Sequence, residues 1–210
     1  MKKIIILVTF FGMSVASYSQ AIRDRNVIPV AVNLNQVLRM TITNGGNIEF
    51  VFNTIDQYKQ GLGGAGLGVG AFYQTDFVVA SSTRWVLNYG SETGTFIGTD
   101  NPANVLTLDN VGFTLVNNGL HNFGAGNELS SPPTSDGTVV ADLDVYPTVL
   151  LDDNGSASAN AGDELDNNFS MLWECGTIQG DMNPDALIDQ NPSPQPDRYV
   201  SNVLFELSAK

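Results

Sequence analysis

Residues Leu38–Asn53, LRMTITNGGNIEFVFN, alternate apolar and polar side chains on both sides of an Asn/Gly cluster. Leu38, Met40 and Ile42 share one face, and Arg39, Thr41 and Thr43 the other. After Asn44-Gly45-Gly46-Asn47, Ile48, Phe50 and Phe52 alternate with Glu49, Val51 and Asn53. A two-residue period marks a strand with one covered face, and Asn and Gly accept the backbone angles of a tight turn. The stretch therefore predicts a β-hairpin whose apolar face needs a second layer.

The same period recurs along the chain. Val27–Asn35 places Val30, Val32 and Leu34 together, with Pro29 suited to a strand start or an edge because it has no N–H to donate. Phe72–Ser81 and Thr83–Tyr89 follow, the latter with Trp85, Leu87 and Tyr89 on one face. Asn104–Val116, Thr138–Leu151, Asn168–Cys175 and Arg198–Leu207 complete the set. Between them lie polar or glycine- and proline-rich stretches: Gln60–Gly70, Gly90–Ala103, Gly119–Gly137, Asp152–Asn168 and Gly180–Asp197. The pattern predicts an all-β domain of about eight to ten strands with long polar loops and no amphipathic helix. A β-sandwich fits best, with a closed barrel as the alternative.

The first twenty residues stand outside this pattern. Lys2 and Lys3, the apolar run Ile4–Phe11 and the small residues Ala16–Ser19 have the order of a secretory leader cleaved near Gln20. That predicts an exported protein of one domain, residues 21–210, at the cell surface, outside the cell or in the periplasm. No later apolar run has the length of a membrane span. Loss of the leader leaves seven Lys and Arg against 22 Asp and Glu, a formal charge of −15. Such a surface repels nucleic acid and anionic lipid, which excludes both as partners, and it attracts divalent cations. Cys175 is the single cysteine, so no internal disulfide is expected. Its alternation with Phe169, Met171 and Trp173 predicts a small buried side chain.

The strand order Val30–Leu34, Leu38–Ile42, a glycine turn and Ile48–Phe52, then a glycine-rich segment and Trp85–Tyr89, ends on Tyr199–Leu207. That last stretch is similar to a Y-x-x-x-[VLI]-x-[VF]-x-[VLI] strand. The arrangement resembles secreted bacterial fimbria-like domains, among them the family catalogued as DUF4402. The resemblance implies an immunoglobulin-like sandwich with a structural or adhesive role at the cell surface, and it supplies no catalytic residues.

Candidate chemistry is sparse. Asp181, Asn183, Asp185 and Asp189 have the early spacing of a calcium loop. Ala186 stands where an EF-hand needs glycine, and Pro192 where it needs an acid, so a looser calcium site is set against a solvated Asx/Pro turn. Asp152-Asp153-Asn154-Gly155 and Asp163-Glu164-Leu165-Asp166 invite the same pair of readings. Gly61–Gly66 spells G-x-G-x-x-G, but a β-like run follows it instead of the helix a dinucleotide site requires. His121 is the only histidine, and no nucleophile elbow or zinc-protease motif occurs. A hydrolase would have to work with carboxylates alone. Trp85, Tyr89 and Trp173 read as core rather than as a sugar platform. The sequence thus leads to a non-enzymatic surface or fibre subunit, or an adhesin-like module, that associates through edge strands with itself or with other cell-surface proteins. A calcium-dependent carbohydrate-binding module is the alternative.

Overall fold

The computed structural model describes residues 27–64, 73–155 and 159–210. The chain divides into two units, Met1–Leu34 and Asn35–Lys210. In the first, the described residues 27–34 carry neither helix nor strand. The expected leader lies outside the described residues, as do Ala65 and Gly66 of the glycine motif. The second unit is almost entirely β and forms a sandwich of antiparallel sheets.

One sheet runs in the order β1 (Leu38–Asn44), β3 (Gln74–Ser81), β10 (Asn168–Cys175), β7 (Val111–Asn117), β8 (Ala141–Asp142), with β2 (Leu62–Gly63) also paired to β10. The facing sheet runs β12 (Val203–Ala209), β4 (Trp85–Ser91), β9 (Thr148–Leu151). A small third sheet joins β11 (Tyr199–Val200), β5 (Thr95–Gly98) and β6 (Val105–Thr107). Alternation explains the two main layers. Phe77 and Val79 of β3, Phe113 and Leu115 of β7, and Phe169, Met171 and Trp173 of β10 enter one core with Trp85, Leu87 and Tyr89 of β4. Register reinforces it: Phe169 lies opposite Phe77, and Met171 and Trp173 lie opposite Leu115 and Phe113. Each large apolar side chain covered in this way contributes roughly 2–3 kcal/mol.

Hydrogen bonds fix the polar atoms that the core must enclose. Asn160 is fully buried. Its Oδ1 accepts the Trp85 backbone N–H at 3.0 Å, and its Nδ2 donates to the Trp85 carbonyl at 2.9 Å. The Trp85 indole N–H donates to the Asn160 carbonyl at 2.7 Å. Trp173 donates its indole N–H to Thr75 Oγ1 at 3.0 Å.

Several expected elements differ. The strand Leu38–Asn44 forms, but it pairs with β3 and not with Ile48–Asn53. The chain at Gly45 passes so close to β3 that a Cβ there would lie 1.8 Å from the Gln74 carbonyl oxygen, and Thr75 Oγ1 donates to the Gly45 carbonyl. The Asn/Gly cluster therefore carries the chain across the neighbouring strand instead of back along its own. Ile48, Phe50 and Phe52 still pack against the core without ladder bonds. Val27–Leu34 is not a strand, and its apolar side chains are exposed. Asn104–Val116 breaks at a 3-10 turn, Leu108–Asn110, between β6 and β7. The polar stretch Gly90–Ala103 contains β5. A short helix, α1 (Ile55–Gln60), is present where none was expected. Its signal is a capping box: Thr54 Oγ1 accepts the Gln57 N–H, and the Gln57 side chain accepts the Thr54 N–H. Among the described residues no helix is long and apolar enough to cross a membrane.

Candidate functional site

The expected calcium loop sits on the segment after β10. Asp181, Asp185 and Asp189 are exposed and Asn183 is half-buried. Asn183 Oδ1 accepts the Asp185 N–H at 3.0 Å, closing an Asx turn, and the Asn183 N–H donates to the Asp109 carbonyl. Asp181 and Asp189 are held through their own N–H groups, to the carbonyls of Val140 and Ala186. Among the described residues no three His, Cys, Asp or Glu side chains converge as metal ligands.

The acid-rich loops have structural partners. Asp153 is buried, with its carboxylate clasped by Lys210 Nζ at 2.8 Å and Arg84 Nη1 at 3.0 Å, while Asp152 also pairs with Lys210. In the second cluster, Asp163 Oδ1 accepts the Leu165 and Asp166 N–H groups, Asp166 accepts the Asp163 N–H, and Glu164 pairs with Arg39. A third carboxylate, Asp197, was not singled out from sequence. It accepts the N–H groups of Asp100, Asn101 and Arg198 and the Asn104 amide, tying the β5–β6 connection to the start of β11. The signal for it was slight, since a lone Asp after Pro196 looks like any loop acid.

These contacts set a pH response. The hydrogen bond from Lys210 holds the Asp153 carboxyl below the usual carboxylate range against the opposing effect of burial. Backbone N–H groups, that of Asp100 first, hold Asp197 at about 2. A carboxylate whose pKa falls on folding stabilises the fold above its unfolded value, and that stabilisation is lost as pH drops through the folded value. Stability should therefore stay level from neutrality to about pH 5 and decline below about pH 4, near the unfolded carboxylate value. Urea midpoints measured against pH test this. Asp153→Asn should flatten the upper part of the decline, and an unchanged profile in that variant would contradict the assignment. Lys210 moves the other way, raised by Asp152 and Asp153, so its contribution is lost on the alkaline side as pH rises through the folded value.

Cys175 is buried, and burial pushes its thiol up to about 12, so little of the nucleophilic thiolate forms at neutral pH. Trp85, Tyr89 and Trp173 are buried in the core, as expected. His121 Nδ1 lies 3.0 Å from Oδ1 of the buried Asn167. Of the glycine motif, Gly61 ends α1 at φ +74°, and a Cβ on Gly63 would lie 2.4 Å from the Trp173 carbonyl oxygen. These glycines let the chain approach β10 closely. The loops after β7 frame an open cleft of about 410 Å³ lined by amides and hydroxyls, with Phe123 and Asp136 beside them.

The chain matches no family model and no curated protein.

The remaining distinctive surface is apolar. In the first unit, Val27, Ile28, Val30, Val32 and Leu34 are between 76% and 91% exposed. In the second unit, β1 and β12 are the last strands of their sheets, seven residues each. Their core-facing side chains, Leu38 and Met40 on β1 and Val203, Phe205 and Leu207 on β12, are only partly buried. A concentration of apolar surface together with unpaired strand edges is suited to association with another chain.

Proposed function

We propose that this chain is an exported, non-enzymatic structural or adhesive protein of the cell surface that assembles by lending its N-terminal arm to a neighbouring molecule. One observation carries the reading: five large apolar side chains lie exposed within eight residues, Val27–Leu34. Covering each contributes roughly 1.5–3 kcal/mol, enough together to offset the ordering of the segment and the loss of free tumbling on association. The arm contains no charged residue, whereas the rest of the mature chain is strongly acidic. An uncharged segment is the part of such a molecule that another copy can approach with least repulsion. The order of Lys2 and Lys3, the apolar run Ile4–Phe11 and the small residues Ala16–Ser19 supports a location outside the cytoplasm.

Electron microscopy of the purified mature chain at high concentration, beside a variant lacking residues 21–34, tests the reading. Filaments or large regular particles are expected from the intact chain, and single particles from the variant. Polymers unchanged by the deletion would refute strand lending. Single particles from both would favour a module that binds a polyhydroxylated ligand, and the amide-lined cleft after β7 would be the place to look.

A further inference from the structure

We propose that the open cleft on the loops after β7 binds a neutral saccharide, without calcium, through amide and hydroxyl side chains. The inference goes beyond the assembly reading above and does not rest on it.

Two short segments make the walls, and both are pinned to the sandwich. Residues 122–129 close on themselves. The Gly124 N–H donates to the Leu129 carbonyl at 2.9 Å, and the Leu129 N–H donates to the Asn122 carbonyl at 3.1 Å. Asn127 Nδ2 donates to the Phe123 carbonyl at 2.6 Å. Leu129 is fully buried, and the Phe123 ring stacks on Phe169 of β10 at 6.1 Å between centroids. The second wall, residues 131–137, is bound along β7, past the two residues that pair with β8. Thr134 is fully buried, and its Oγ1 accepts the Leu115 N–H at 3.1 Å. Asp136 Oδ1 accepts the Asn117 N–H at 3.0 Å. Side-chain oxygens thus take the place of a further strand on β7. The cleft is built before a ligand arrives, so little ordering of the protein opposes binding.

The backbone of the second wall is unusual. Ser135 and Asp136 have φ of +46° and +53°, and Gly137 follows at +75°. Residues with a Cβ keep such left-handed backbone only where their surroundings impose it, and these positions concentrate at functional sites. Both side chains line the cleft. Ser131 and Ser135 are exposed, and among the described residues nothing bonds to their hydroxyls. Asn127 keeps its Oδ1, and Asp136 its second oxygen, after the bonds just described.

The chemistry of these groups selects the ligand. Hydroxyls donate and accept, while amide and carboxylate oxygens accept. Neighbouring hydroxyls on a sugar ring also do both. Phe123 offers apolar surface for the C–H face of such a ring. No Lys or Arg lines the cleft, and the Asp136 carboxylate and the acidity of the whole chain oppose an anion. Phosphate esters and sulfated, uronic or sialic sugars are therefore poor ligands, and neutral saccharides remain. A volume of about 410 Å³ falls within the range of about 300–1,000 Å³ typical of small-molecule sites. The open mouth suits a few units of a longer saccharide. Among the described residues no three acids converge as cation ligands, so the site needs no calcium.

An array of neutral and anionic oligosaccharides, probed with the full-length mature chain in EDTA, tests the site. Retention of a neutral glycan is expected. The retained oligosaccharide is then titrated by calorimetry into the Val30→Asp/Val32→Asp chain, where assembly cannot raise the apparent affinity by multivalency. Adding Ser131→Ala and Ser135→Ala to that chain should weaken binding about tenfold, for two hydrogen bonds lost, and leave the melting temperature unchanged. During the same titration, backbone amide signals of residues 122–137 should shift in the NMR spectrum of the chain without the alanine pair. Retention of no neutral glycan, or of anionic glycans alone, would overturn the inference. So would affinity that the alanine pair leaves unchanged, NMR shifts confined to other residues, or binding only after calcium is restored. Because the titration uses a variant in which the arm is disabled, its outcome is distinct from that of the assembly reading.

Discussion

Phe113→Ala is expected to lower the stability of the folded chain by about 4 kcal/mol, as large-to-small changes at closed aromatic sites do. Phe113 lies on β7 with no exposed surface. Its ring meets Tyr89 of the facing sheet edge-on at 5.2 Å and Trp173 of the adjacent β10 at 5.5 Å. It therefore bridges the two layers and the strands within one of them. Truncation leaves a void walled by two rings attached to paired backbone, so the surroundings have little freedom to collapse into it. For a domain of this size the melting temperature should fall by roughly 8–16 °C. Phe113→Leu keeps most of the volume and should cost about half as much. Chemical denaturation of the purified variants gives the comparison, and a loss under about 1.5 kcal/mol for the alanine variant would mean that this ring is not central.

Asn160→Ala should cost about 3 kcal/mol for a different reason. The substitution removes the acceptor of the Trp85 N–H and the donor to the Trp85 carbonyl, and both backbone groups sit where the core excludes water. An unpaired buried polar group costs about 1–3 kcal/mol, and two are created at once. Asn160→Asp is the informative companion. Its carboxylate still accepts the N–H, but it offers nothing to the carbonyl and brings a charge into the core. Both variants should be destabilised to a similar degree. If the aspartate variant were as stable as the parent, the donor half of this clamp would have no role.

The legible and illegible parts of the fold separate along physical lines. Asn168–Cys175 and Val111–Asn117 were readable because central strands bury their alternating rows, and burial is what the pattern records. Leu38–Asn44 was readable as a strand but not in its pairing. Alternation states which face is covered and leaves the neighbour undetermined. The turn residues after it suggested a hairpin, yet Gly45 is needed for close passage over Gln74, a demand that arises only in three dimensions. Thr95–Gly98 escaped notice because a four-residue strand at a rim carries too few positions to show a period. Val27–Leu34 misled in the opposite direction: it has the pattern of a strand and no strand partner in the described structure.

For candidate sites, residue type alone does not say which acids already have partners. Asp152, Asp153, Asp163 and Asp166 look like cation ligands in a list of residues, but their oxygens are engaged by Lys210, Arg84 and backbone N–H groups. Which acids are already partnered depends on residues more than fifty positions away, as with Lys210 and Asp153. Asp197 shows the reverse case. Its four donors come from the β5–β6 connection and from the next residue in the chain, a grouping that local spacing does not announce.

The most direct test is sedimentation velocity of the intact mature chain over a hundredfold range of concentration, run beside the Val30→Asp/Val32→Asp variant. If exposed apolar residues at the start of the mature chain hold copies together, the mean sedimentation coefficient climbs with concentration in the first and stays at the monomer value in the second. Identical behaviour of the two, whether both remain monomeric or both associate, would contradict the account.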